Sequence, residues 1–397
     1  MRQQRLQAQL ARAAVADAQQ RGVAGRARLV GLRQEQSRAI AARLKDAARR
    51  SMEPSGAVVS GALALELLES YHALWEARPQ PDRNPATQPV SLERDHFARL
   101  RSVDYVVSDK SDGVRYVLYL AQAGGQELAV LVDRKLKLYQ VPVAAARKHF
   151  RGSIFDGELV NVRGTHVFLV FDAVAHKGSN AIARQPLTKR LELIRAVFDL
   201  DGVSVSSPEE AAEQAKLGKV VCGGSAYGLS FRPKPCFQLQ QLDTLLRRLP
   251  LLPYAVDGLI FTPQEDRVVV GTHETMFKLK WKHSIDVEVG AGGALLVGLG
   301  GAPETAVQRV PLSSLSIAFE YEPELAAALP ALQGRIVELA LTSDAGALRL
   351  SLLAQRPDKA HPNTASTVLR TVKNVREDIT PQELLQLFAR PSETGAA

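Results

Sequence analysis

The 397 residues are 46% hydrophobic and 23% charged, an ordinary globular balance with enough apolar material for more than one core. No stretch reaches the roughly eighteen uninterrupted apolar residues of a membrane span, no short apolar secretory segment opens the chain, and Cys222 and Cys236 form neither a disulfide framework nor a CxxC site, which points to a reducing compartment. The net charge of +8 sits at one end: residues 1–50 hold twelve Arg or Lys against Asp17, Glu35 and Asp46, and the rest is near neutral.

In chain order, residues 1–50 read as an arm rich in Arg, Ala and Gln, weakly helical or disordered. It suits RNA phosphates or an acidic protein tail, equally a solvated extension, with organelle targeting as a third reading. Over 51–88, Leu63, Leu67, Leu68, Tyr71, Leu74 and Trp75 recur at helical spacing and give way to a proline-bearing linker, Pro79–Pro85. Short β-rich runs follow from about residue 88: Tyr105–Val107, Arg115–Leu120, Leu128–Val132, Glu158–Val162, His166–Phe171, Gly258–Phe261 and Met276–Lys282. Helices are predicted at Leu187–Phe198 and Leu239–Leu249. A second set of strands, Ile285–Val289, Ala294–Leu299, Arg335–Leu341 and Ala347–Leu353, predicts a small barrel with glycine-rich turns over 290–301. A short helix, Pro381–Phe388, closes the chain behind a Thr380 cap.

Five segments carry chemistry. In Lys110-Ser111-Asp112-Gly113-Val114-Arg115 a lysine ends a strand beside an Asp-Gly turn, so its amine and Arg115 can face one pocket; a solvated hairpin has the same pattern. Phe155-Asp156-Gly157-Glu158-Leu159-Val160 reads as a turn feeding a strand that opens on a carboxylate. In Val256-Asp257-Gly258-Leu259-Ile260-Phe261-Thr262-Pro263, Asp257 precedes a short apolar strand and could serve a metal or act as a base. Met276–Lys282 alternates strictly, putting Lys278, Lys280 and Lys282 on one face. Three parallel ammonium groups call for an anion, a polyphosphate above all, although an edge strand guarded by lysines would look alike. Arg356-Pro357-Asp358-Lys359 adds a basic pair in the presumed barrel.

In this order the segments resemble the signature of the covalent nucleotidyltransferase superfamily, which comprises mRNA capping guanylyltransferases and ATP-dependent DNA and RNA ligases. The resemblance runs from about Pro89 to about Leu385. Trp281 within Leu279–Lys282, the phrase Asp257–Pro263, the pair Asp133-Arg134 and Ser230–Lys234 resemble capping enzymes more than ligases. The resemblance implies an α+β protein: a nucleotidyltransferase domain of ATP-grasp-like antiparallel sheets with helices over 89–284, and an OB-fold barrel with a C-terminal helix over 285–397.

It also implies roles. Lys110 would attack the α-phosphate of GTP to form lysyl-GMP and release pyrophosphate, with Lys280 and Lys282 beside the α-phosphate lowering the pKa of its amine and stabilising charge on the phosphoryl oxygens. Arg115 and Glu158 would hold the ribose, Arg134 sugar or phosphate, and Lys234 the guanine. Asp257 would reach Mg²⁺ (or Mn²⁺), through water. Arg356, Asp358 and Lys359 would align the β- and γ-phosphates once the barrel closes. The RNA acceptor would carry a 5′-diphosphate, the RNA triphosphatase and cap methyltransferase would be separate polypeptides, and the arm could meet the RNA polymerase II tail. The expected location is nuclear, or cytoplasmic or in a viral factory if virus-encoded. Two other readings are an ATP-dependent ligase, separated by the nucleotide trapped on the protein, and a catalytically silent adaptor.

Overall fold

The computed structural model describes Pro54 and residues 56–80, 83–203, 205–222, 229–299 and 308–388. The basic arm expected over 1–50 lies outside them, as do Pro81 and Asp82 of the expected linker and Gly300–Gly301 of the glycine-rich turns.

Three larger sheets organise the described residues, beside a two-stranded one formed by Val143–Ala145 and Val220–Cys222. The first has seven strands, in the order Val58–Val59, Leu138–Gln140, Gln126–Val132, Val114–Ala123, Ser153–Val162, Thr165–Ala175 and Leu229–Pro233. Its central strands read as continuous apolar runs because both faces are covered. Along Val114–Ala123, Tyr116, Leu118 and Leu120 enter a core with Leu191, Ile194 and Phe198 of the helix Leu187–Phe198. Val117, Tyr119 and Ala121 enter another with Leu67, Tyr71 and Trp75 of the helix Gly61–Trp75. That first helix is therefore part of the body. Nor is the expected linker loose at Asn84, which accepts from the Tyr71 hydroxyl and donates to the Asp133 carbonyl.

The second sheet has the order Phe237–Gln238, Tyr105–Ser111, Val256–Pro263, Thr272–Lys280 and Gln88–Ser91. Tyr105 and Val107 pack in a core of their own, whereas Val106 joins that of the seven-stranded sheet. Lys110 shares the parity of Val106 and Ser108, so it stands on the face turned towards the first sheet.

The third sheet runs Arg309–Pro311, Leu295–Gly298, His283–Val289, Ile336–Asp344, Ala347–Gln355 and Phe319–Tyr321, with two edge strands and a core of its own. This open, curled sheet is consistent with the OB-fold. An unanticipated helix, Ala365–Glu377, capped by Thr364, lays Val368, Val372 and Val375 on that core. The closing helix Pro381–Phe388, expected with the barrel, packs elsewhere. Its Leu384, with Ile379, joins Leu92, Leu100, Tyr105 and Val107 beneath the second sheet. Lys373 ties the two parts from the surface, donating to Glu93 at 2.7 Å and Asp95 at 2.9 Å.

Candidate nucleotide-transfer site

The turn Asp112-Gly113 carries the chain from the second sheet into the first, and the site forms where the sheets meet. Lys110 and Lys280 both lie opposite Gly258, one on each flanking strand. A Cβ on Gly258 would sit 1.9 Å from the Leu279 carbonyl oxygen, so no other residue lets these strands approach. The adjoining Asp257 stands at a register shift in that strand and takes Lys110 in a two-pronged contact, its carboxylate oxygens 2.7 and 2.9 Å from Nζ. The pair is partly open, with side-chain exposures of 24% and 31%. The nucleophile expected among cations is thus held first by an anion and stays accessible.

The lysine strand departs from its expected form. It ends at Lys280, because the Trp281 N–H turns to the Asp257 carbonyl at 3.0 Å and a new strand starts at His283. Lys282 therefore leaves the ladder and is exposed in a two-residue connection. The residue passed over is Lys278. It is half-buried, and burial first, then Lys280, Lys110 and Arg134, lowers its amine to about 8, with Asp257 pulling the other way. In sequence the three lysines were equivalent; only the strand's end separates them.

The other wall comes from the first sheet. Arg115 and Glu158 are cross-strand partners there. Arg115, expected at the ribose, is a strut: Nε and one terminal nitrogen meet the Asp156 carboxylate, and the other donates to the Thr87 carbonyl at 2.6 Å. Asp156 is buried for the same reason, and Asp156-Gly157 lies within a strand, not in a turn. A Cβ on Gly157 would meet the Phe168 ring at 2.5 Å. Glu158 is the carboxylate left facing the cleft. Burial raises its carboxyl to about 6, while Lys234, Lys110, Arg115 and Arg134 pull it back down. Arg134 lies exposed in the turn after Gln126–Val132, near enough to act on both Glu158 and Lys278.

Between the walls sits Phe171, which no sequence signal marked; its ring lies 5.5 Å from the Arg115 guanidinium and 6.0 Å from Lys234 Nζ. Lys234 is buried, donating to Ser111 Oγ at 2.8 Å and standing 3.4 Å from Asp109. The remaining three predicted residues are not brought to this cleft. Arg356 is bonded to Asp286, Glu338 and Asp358, and Lys359 stands 3.6 Å from Asp286, all within the third sheet and its loops.

No group of three or more His, Cys, Asp or Glu side chains able to cage a metal occurs among the described residues. Asp257 is a half-exposed carboxylate beside the lysines, which fits a Mg²⁺ ion carried mainly by substrate phosphates and water.

Residues 65–283 match the family described as mRNA capping enzyme, catalytic domain. The mRNA-capping enzyme subunit alpha of Neurospora crassa is 30% identical over 352 residues, covering 76% of this chain and 83% of that protein. Its Schizosaccharomyces pombe counterpart is 28% identical over 342 residues, covering 77% and 80%. Among solved structures, mycobacterial DNA ligase D complexed with ATP and MES gives a TM-score of 0.33 at 16% identity, covering 69% of this chain and 95% of that one. With its lysine, carboxylate and cation cluster where two sheets meet, the chain belongs to the mRNA capping enzyme family, as a guanylyltransferase.

Proposed function

We propose that Lys110 carries the guanylate. Its Nζ attacks the α-phosphorus of GTP, the bond to the β-phosphate oxygen breaks, and pyrophosphate leaves. A β-phosphate oxygen of a 5′-diphosphate RNA end then attacks the same phosphorus. The N–P bond breaks, the lysine is regenerated, and the RNA carries a GpppN end. The observation that carries this reading is the placement of Lys110 opposite Gly258, with Asp257 in contact and Lys278 and Lys280 on the strand beyond.

The residues divide the work. The amine must lose a proton before it attacks, and Asp257 is the nearest acceptor. Lys278 and Lys280 stabilise charge on the phosphoryl oxygens, a contribution that grows in a site closed to water. Glu158, ionised above about pH 6, accepts from a ribose hydroxyl. Phe171 offers a stacking face for the base and Lys234 a donor for its carbonyl. Asp257 would hold Mg²⁺ or Mn²⁺ through water, and the ion would supply further charge neutralisation at the phosphates. Arg356, Asp358 and Lys359 serve the leaving β- and γ-phosphates after the third sheet moves towards the cleft. An RNA triphosphatase must furnish the diphosphate end and a methyltransferase complete the cap, both as separate chains in the nucleus. The arm 1–50 meets RNA or an acidic tail such as that of RNA polymerase II.

The test is direct. Protein incubated with α-labelled GTP and Mg²⁺, then denatured, retains label; addition of diphosphate RNA before denaturation moves the label to the RNA end. Label that stays on the protein with RNA present would leave the acceptor half of the reading unsupported.

A further inference from the structure

The nucleophile strand carries a second polar group that the transfer chemistry does not use. Asp109, next to Lys110, is 1% exposed, and a carboxylate that deep needs partners. One oxygen accepts from Ser111 Oγ at 2.8 Å and stands 3.4 Å from Lys234 Nζ. The other accepts from the Tyr254 hydroxyl at 3.4 Å. Ser111 Oγ, its proton committed to Asp109, turns a lone pair to Lys234 at 2.8 Å. The four side chains come from three separate stretches of chain, and Ser111 and Lys234 are buried with Asp109.

An ammonium group has three donor directions. Ser111 takes one, the Asp109 carboxylate draws the ammonium from 3.4 Å, and Phe171 lies 6.0 Å from the same nitrogen, so a base laid on that ring meets a lysine whose orientation is already set. A fixed, always-donating group accepts a ring carbonyl and rejects an amino group at the same place, since two donors then face each other. We propose that Asp109, with Ser111 and Tyr254 in support, is a positioning residue for base choice. It holds Lys234 so that a 6-oxopurine nucleotide is taken and a 6-aminopurine refused.

This rests on the reading of Lys234 as the base-facing donor, and the experiment separates the two. Covalent adduct formation is measured with labelled GTP, ITP and ATP for the parent chain and for Asp109→Asn, Ser111→Ala and Tyr254→Phe, with melting temperature recorded alongside. Adduct with GTP and ITP in the parent chain, and little with ATP, supports the base-facing role; equal use of ATP removes it and the inference with it. If the inference holds, Asp109→Asn and Ser111→Ala lower the GTP-over-ATP ratio by about tenfold or more, Tyr254→Phe by a smaller factor, and ITP follows GTP throughout. Should Asp109→Asn slow both nucleotides equally while the ratio stands, Asp109 is only structural and the proposal fails. Ser111→Ala, which removes no charge, keeps the question answerable if Asp109→Asn does not fold.

Discussion

The cleft between the first two sheets and the Arg356 cluster on the third handle positive charge in opposite ways. In the cleft Lys110 is paired with Asp257, but at Lys278 cations act on one another: Lys280, Lys110 and Arg134 join burial in lowering its amine to about 8. On the third sheet Arg356 lies among three carboxylates, Asp286, Glu338 and Asp358, which hold its guanidinium charged. A cluster under mutual repulsion gains when a polyphosphate arrives, whereas a compensated one must exchange partners first. Lys278 is poised for an anion as it stands; the Arg356 cluster must rearrange first, as the role proposed for it on the leaving phosphates requires.

The comparison can be broken most sharply at the proposed nucleophile. Lys110→Ala abolishes the covalent adduct with the melting temperature little changed; adduct in that variant would move the chemistry elsewhere. Next comes the lysine strand. Lys278→Ala and Lys280→Ala each slow adduct formation by about a hundredfold or more, the scale of a lost donor to developing charge. Lys282→Ala, outside the ladder, changes it by no more than about threefold; equal losses at all three would restore the unbroken strand that the alternation predicts. Calorimetry in buffers of different ionisation enthalpy adds a pH signature. GTP binding takes up protons between about pH 8 and the ordinary lysine value, because bound phosphate recharges Lys278, and the uptake disappears in Lys278→Ala.

Arg356→Ala tests the other region. It slows adduct formation by about tenfold or more, yet leaves transfer from isolated lysyl-GMP to RNA nearly intact, since no β- or γ-phosphate remains to align. Smaller still is the effect of Glu158. Its folded value is raised, so its contribution favours folding below the ordinary carboxyl value and is lost as pH rises through about 6. Glu158→Gln therefore raises the melting temperature at pH 7 and not at pH 4, while GTP affinity, strongest with the carboxylate ionised, falls in the parent chain below about pH 6. Deleting residues 1–50 has the least effect on adduct formation and weakens RNA binding in a salt-dependent manner.

Much of the fold was legible because burial imposes simple periods. The helices Leu187–Phe198 and Pro381–Phe388 begin and end where their apolar spacing predicts, and most strands differ only by a few residues at their ends. Ala365–Glu377 escaped notice since its stripe is built from Val368, Val372 and Val375, β-branched residues that read as strand. One Asp-Gly pair misled in a related way: Asp156-Gly157, expected as a turn, lies inside a strand, its glycine required by a ring too close for any Cβ, whereas Asp112-Gly113 does link two strands and Gly258 lies in the strand expected for it. In the site, sequence order picked out Lys110, Glu158, Asp257 and Lys280, but who partners whom depends on contacts between distant segments. Nothing local tells that Arg115 is bound by Asp156, that Phe171 lies between Arg115 and Lys234, or that Trp281 ends the ladder. Asp109 did carry a signal, a carboxylate within the apolar run Tyr105–Val107 and its continuation, next to the lysine itself.

One measurement bears on all of this at once: mass spectrometry of peptides from protein incubated with an equal mixture of GTP and ATP and Mg²⁺. A guanylate on the peptide containing Lys110, and on no other lysine, is the expected result. An adenylate there, or a guanylate on a different residue, would contradict the account.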